Sequence, residues 1–228
     1  VRIETEPLLS PSFLAAVNEI RETEVCVKVS VNKKTVKEVT EKVTVLPLDV
    51  WCGSTNPELI AAFVRPRIKE CSDVLADAKK RLSKWGVPCE WRGYQEGDKN
   101  KIRLMCAAIF AAIKKYAFLR QNDSDVSLPV RMETDLKQGD SVTERDLAVF
   151  FAACLESADL HPMLAFGANG WACGAWLTEN CFAETVSDDA MRVENYVSEG
   201  VNELTFIDVS DLYAEQNANF TLSENHFA

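Results

Sequence analysis

The residues of this 228-residue chain whose types and spacing could do chemistry are a carboxylate at a helix start, eight cysteines and two histidines. Glu144 stands in the first turn of a helix that opens Val142-Thr-Glu-Arg-Asp-Leu147, with Thr143 as N-cap and Asp146 three places on, a capping box with Asp in place of the usual Glu or Gln. An acid in that turn gains about 0.3–1 kcal/mol from the helix macrodipole and the free amides, which accounts for Glu144 structurally. The cysteines, at 26, 52, 71, 89, 106, 154, 173 and 181, form no C-x-x-C pair. Cys71, Cys106 and Cys154 fall on apolar positions and read as buried reduced thiols. His161 and His226 are too few for a zinc finger or ribbon, so no metal is expected, and no motif asks for a cofactor.

The elements that must position these residues are those of a globular chain, 47% apolar and 26% charged, able to bury one large core or two small ones. Its longest apolar runs, Met105 to Ile113 and Leu147 to Leu155, fall far short of the roughly 20 residues of a membrane span. With no basic-then-apolar leader, the expectation is a cytoplasmic protein with no membrane contact. Charge is uneven: seven cations face nine acids in residues 1–59 (net −2), fourteen face six in 60–120 (net +8), and four face twenty in 121–228 (net −16). The basic middle could meet phosphates through Arg65, Arg67, Lys79, Lys80, Arg81 and Lys84, but the acidic last half would repel a nucleic-acid backbone, and a solvated helix face is the favoured reading.

Along the chain, Glu24 to Val31 and Val36 to Val45 alternate with period two around a polar turn at Lys33-Lys34, which predicts a hairpin with one solvated face. Asn56-Pro57-Glu58 predicts a helix start, running to Val64. Ile68, Cys71, Leu75, Ala78, Leu82 and Trp85 form the apolar stripe of a second helix, stopped at Gly86. Ile102, Met105, Ile109, Phe110 and Ile113 form the inner side of a third, and 121–125 is a polar linker. The helix after Thr143 carries a wide apolar face, Leu147, Phe150, Phe151, Cys154 and Leu155. Strands are predicted over 163–166, 171–177 and 203–209, with a helical segment at 187–198 between the last two, an α+β arrangement.

Four stretches carry a resemblance. Trp51-Cys-Gly-Ser-Thr-Asn-Pro-Glu-Leu-Ile-Ala-Ala-Phe-Val-Arg-Pro66, Gly93-Tyr-Gln-Glu-Gly-Asp98, Asp146-Leu-Ala-Val-Phe-Phe-Ala-Ala-Cys-Leu-Glu-Ser-Ala-Asp-Leu-His-Pro162 and Gly174-Ala-Trp-Leu177 follow one another in order. They resemble the N-terminal transglutaminase-like domain of unknown function that precedes a superfamily-1 helicase and a nuclease-like region in large bacterial proteins. The resemblance covers roughly residues 25 to 212. It implies a papain-like core of one helix on an antiparallel sheet, with a Cys at the helix N-terminus, a His on the next strand and an acid on the one after. On that basis the chain divides into an N-terminal β-rich region (1–50), a helical subdomain (51–125) and the transglutaminase-like core (126–228).

The departures change the expected function. Where the family reads Gly-Thr-Cys-Leu-Asp-Leu, Glu144 replaces the nucleophile, and where it reads Gly-His-Ala-Phe-x-Gly-x-Trp-Leu, Gly170 replaces the base. Asp208 alone keeps the family's acid, and an acid alone cannot run acyl transfer, which needs a thiolate and a proton donor for the leaving amine. The resemblance therefore implies a pseudoenzyme that binds a protein partner or other domains of a larger chain, beside a DNA-processing or phage-defence system. Glu144 with Asp208 could instead form a carboxylate pair that binds a cation or acts as acid and base. Asn169, Trp171, Cys173 and Trp176 are the candidate binding residues; Trp171 and Trp176 face opposite sides of a regular strand, and one of them is the candidate exposed anchor. The alternatives are a cysteine hydrolase or acyltransferase with a relocated nucleophile, Cys173 with His161 as base, and a nucleic-acid-binding module using the basic 65–84 segment.

Overall fold

The computed structural model describes residues 10–53, 56–87, 93–122, 129–131, 136–168, 170–198 and 200–227, with the side chains of 226 and 227 left aside. Two compact units divide the chain, Val1–Val50 and Trp51–Ala228. Residues 51–125 and 126–228 therefore belong to one unit, with a common core.

The first unit holds a short helix α1 (Pro11–Ala15), whose N-cap Ser10 accepts from the Phe13 amide, and a long antiparallel hairpin, β1 (Arg21–Val31) with β2 (Lys34–Val45). Asn32 and Lys33 both take positive φ, 53° and 63°, so the turn is a two-residue one of the type that matches strand twist. The polar turn sits one residue earlier than the Lys33-Lys34 pair suggested, because Asn tolerates the left-handed conformation and opens the turn. Alternation was expected to leave one face solvated; instead every residue from 21 to 42 is exposed, on both faces.

In the second unit, Pro57–Phe63 forms a 3-10 helix, not an α-helix, and the Asn56 side chain makes no capping bond. Ile60 and Phe63, three apart, are its buried residues, as the tighter three-residue turn places them. Helix α2 (Lys69–Lys84) buries Cys71, Val74, Ala78 and Leu82. Trp85, expected on that stripe, is 47% exposed: it is the C-cap, past the last regular turn, so the helical period no longer governs it. Helix α3 (Lys99–Ile113) starts at Asp98, which accepts from the Asn100 and Lys101 amides, and buries Ile102, Met105, Ile109, Phe110 and Ile113.

Helix α4 (Glu144–Ser157) is the centre. Every residue from Arg145 to Leu155 is buried, so it packs on most of its circumference, against α2, α3 and a three-stranded sheet. That sheet, β5 (Pro162–Gly167), β6 (Gly170–Trp176) and β7 (Leu204–Asp208), is antiparallel in the order β5-β6-β7. β5 and β6 form a tight hairpin ending at the Gly167↔Gly170 pair. Gly174 lets β6 and β7 approach: a Cβ there would strike the Thr205 carbonyl oxygen and lie 2.7 Å from the Phe206 ring. Helix α5 (Ala190–Val197) lies between β6 and β7 in sequence, and α6 (Phe220–Phe227) packs on β7 and α3.

A two-residue parallel pair, β3 (Leu119–Arg120) with β4 (Ser141–Val142), brings Arg120 beside Val142. The fold is thus mixed α+β with small antiparallel sheets. None of the described helices is long and apolar enough to cross a membrane.

Candidate functional site

The α4 N-terminus is built as its capping box requires. Asp146 donates its amide to Thr143 Oγ1 and accepts the Thr143 amide on Oδ2, both at 3.1 Å. Its Oδ1 accepts the Arg131 amide at 2.9 Å, so this buried carboxylate is spent on backbone amides.

Glu144, two residues earlier, takes a different partner. Arg120 Nη1 donates to its Oε1 at 2.7 Å, with Glu144 21% exposed and Arg120 37%. Arg120 Nε reaches Glu215 at 3.5 Å, and its guanidinium lies 4.7 Å over the Tyr213 ring. Tyr213 is fully buried and donates its hydroxyl to the Val142 carbonyl at 2.9 Å. Burial first and the Glu144 charge second push the Tyr213 hydroxyl above its usual range, with Arg120 opposing, so it stays a proton donor to that carbonyl. Arg120 is therefore a planar cation between two carboxylates and an aromatic face.

The strand hairpin brings Gly170 against this group. Gly170 has φ +112°, and a Cβ added there would lie 2.7 Å from Glu144 Oε2. Asp208 ends β7 opposite Ala172, which by strand alternation shares a face with Gly170. Its Oδ1 accepts the Ser210 amide at 2.8 Å and so starts the 3-10 turn Val209–Leu212. The structure thus places Glu144 against Gly170, while Asp208 is engaged by its own turn. A cationic ligand between Glu144 and Asp208 would have to displace Arg120 from Glu144.

The other sequence candidates fall elsewhere. Cys173 lies on the opposite face of β6, fully buried, and burial, reinforced by Cys106, holds its thiol well above the usual range. It cannot meet a ligand there, because its strand face is the one that packs into the core. His161 sits before β5, with Nδ1 2.8 Å from the Asn180 carbonyl and its ring 5.0 Å from that of Tyr94. Trp171 and Trp176 do face opposite sides, but neither is an exposed anchor. Trp171, half-buried, stacks on Phe166 at 4.5 Å and meets Trp51 at 5.5 Å, while Trp176 is buried against Phe182 and Tyr196. Aromatic neighbours on both faces cover what strand alternation alone left open. Asn169 lies outside the described residues.

Of the basic residues, Lys80, Arg81 and Lys84 line an open cleft of about 660 Å³ with Asp77, Ser83, Trp85 and Lys115. Arg65 and Arg67 precede α2 and do not line it, and neither does Lys79. Burial would raise Asp77, but hydrogen bonds from Lys115 (2.5 Å) and Arg81 (3.1 Å) outweigh it and hold the carboxyl below its usual range. Among the described residues no group of three or more His, Cys, Asp or Glu could hold a metal.

Sequence reasoning missed Arg120 and Tyr94. Tyr94 donates its hydroxyl to the Trp176 carbonyl at 2.8 Å and accepts the His161 amide at 2.9 Å, tying its loop to both strands at the open end of the β5–β6 hairpin. Burial above all pushes this hydroxyl up to about 12, in keeping with its hydrogen bond to the Trp176 carbonyl. Arg120 carried no signal, since only the β3–β4 pairing brings it to α4. Compared with family models, curated proteins and solved structures, the chain matches none.

Proposed function

We propose that the chain is a catalytically inactive module of transglutaminase-like architecture that serves to hold a protein partner or other domains of a larger chain. The observation that carries this reading is the occupancy of the degenerate site. Glu144 Oε2 takes the space in which a side chain at position 170 would begin, and Arg120 ties Glu144 down. On this reading the helix N-terminus at Glu144, Gly170 on the adjoining strand and Asp208 on the next would be the three family positions, and two of them carry no group that could run acyl transfer. With acyl transfer removed, binding is the work left to this surface. A place within a DNA-processing or phage-defence system rests on the resemblance alone.

A relocated thiol is the reading this geometry disfavours. Cys173 and Cys106 are buried, and burial pushes Cys106 up to about 12. The test is site-resolved alkylation of the native chain between pH 5 and 8. On the inactive reading no thiol labels fast at pH 6, and the buried Cys71, Cys106, Cys154 and Cys173 label only on unfolding. One thiol labelling fast at pH 6 sinks the inactive reading.

The open cleft beside α2 favours one second reading, nucleic-acid binding, because Lys80, Lys84 and Lys115 surround an exposed Trp85 on which a base could stack. With about three phosphates neutralised, affinity for single strands would fall with salt at a log–log slope of about −2. Filter binding at two salt concentrations decides it, and no binding at low salt ends it.

A further inference from the structure

The β1–β2 ribbon has two chemically different faces. One carries Glu22, Glu24, Cys26, Lys28 and Ser30 opposite Thr44, Lys42, Thr40, Glu38 and Thr35. This polar face is satisfied within the ribbon: Lys28 and Glu38 pair at 3.1 Å, and Cys26 Sγ donates to Glu38 at 3.1 Å. The other face carries Val25, Val27 and Val29 on β1, with Val39, Val43 and Val45 on β2. Val27 is 51% exposed, Val29 42% and Val25 38%. A two-stranded ribbon is marginal in water without something on its apolar face, and β-branched side chains favour strands by packing against neighbours.

Four charges stand on that valine face: Arg21, paired with Glu19, and Lys34 lie towards its two ends, where long side chains reach solvent, while Lys37 and Glu41 flank its middle and have no ion-pair partner among the described residues. Lys37 lies opposite Val29 and Glu41 opposite Val25, one residue pair to either side of the Val27↔Val39 pair. The middle of the face, Val25 to Val29 with Lys37 to Glu41, is therefore self-complementary about that pair. We propose that the valine face is a self-association surface, on which a second copy of the chain docks face to face. The two-fold axis lies between the ribbons, across the strands, at the level of Val27 and Val39. Rotation about it lays β1 over its counterpart in reverse, so each Lys37 meets the Glu41 of the other copy while Val27 and Val39 pack at the centre. The other two-fold, parallel to the strands, would set β1 on β2 and place Glu41 over Val25, burying an unpaired acid.

The ribbon, about 36 Å long at roughly 3.3 Å per residue and two strands wide, gives a contact at the small end of specific interfaces, so association is weak and reversible. The proposal does not rest on the reading of the α4 site. Sedimentation velocity of the full chain across a concentration series up to about 200 µM is the test, because a contact of this size calls for high concentration. A monomer–dimer equilibrium is expected. Lys37→Glu and Glu41→Lys each weaken it by about tenfold or more, through two like-charge contacts per dimer. The double variant, Lys37→Glu with Glu41→Lys, restores it, which also shows that the swapped ribbon still folds. A chain monomeric throughout, as when another domain covers this face, overturns the proposal. So does a dimer indifferent to the single swaps, which would form through a strand edge or another surface, or one that the double swap fails to recover.

Discussion

Glu144 and Gly170 are fitted to one another: the carboxylate Oε2 lies 2.7 Å from where a Cβ on Gly170 would stand. Two separate features resist a side chain at 170, the φ of +112° and the carboxylate. Gly170→Ala is accordingly destabilised by about 1–3 kcal/mol, the usual cost of a strained backbone position. Adding Glu144→Ala recovers the part due to contact and leaves the backbone part. Urea unfolding of the four species in a double-mutant cycle checks this, with a coupling of about 0.5 kcal/mol or more expected for residues in contact. A coupling of zero would mean that the carboxylate swings aside freely and that the site is not closed.

Arg120 holds that carboxylate, so Arg120→Ala leaves Glu144 without its cation and uncovers the Tyr213 ring. Because Arg120 is 37% exposed, solvent screens the pair and the loss is about 1 kcal/mol. Arg120→Lys restores charge without the planar face over Tyr213, and recovers only part of it. The midpoint of urea denaturation, compared at low and high salt, separates the two contributions: the charge part fades with salt and the stacking part persists. Full recovery by lysine would show that stacking contributes nothing.

The capping box at Thr143 and Asp146, the buried face of α3 and the three strands were legible because each rests on local spacing that no distant residue alters. The Pro57 segment was legible as helical but not as 3-10, since a helix of seven residues shows too few turns to tell a period of three from 3.6. The site was legible in half. Glu144 and Gly170, singled out by motif position, do meet, whereas Arg120 reaches Glu144 through a two-residue strand pair with no pattern of its own. Nor could spacing tell that Cys173 and Trp176 would be buried on opposite faces of one strand, because α4 covers one face and the α5 aromatic residue Tyr196 the other.

Asp77 gives a pH dependence with a definite sign. Its folded value is depressed below the ordinary aspartate value, so the carboxylate binds protons more weakly in the folded chain than in the unfolded one. Its stabilising contribution is complete above the unfolded value, about pH 4, and is lost as pH falls through the lower folded value. Asp77→Asn removes the pairs with Lys115 and Arg81 and lowers stability at pH 7. The same variant loses less than the parent between pH 4 and pH 2. Urea midpoints at those pH values check the sign, and parallel acid limbs would remove Asp77 from the acid response.

Gly174 is the tightest joint in the sheet that carries the site. Its absent side chain allows the Thr205 carbonyl and the Phe206 ring to close on β6, and the same contact aligns Ala172 with Asp208 two residues along. Gly174 has no positive φ, so the whole effect of a methyl group is steric. The obstacle is backbone, which cannot rotate away as a side-chain tip could, so Gly174→Ala must push β7 from β6 or twist both. An overpacked core site costs about 1–3 kcal/mol, and a backbone clash places this one at the upper end. Trp176, at the far end of β6 and packed on Phe182 and Tyr196, is among the chain's five tryptophans and should report the shift in its emission. Denaturant unfolding with tryptophan emission measures both. A variant within about 0.5 kcal/mol of the parent, the range of neutral surface changes, would mean that the strands have room to separate and that Gly174 does not set the sheet's spacing.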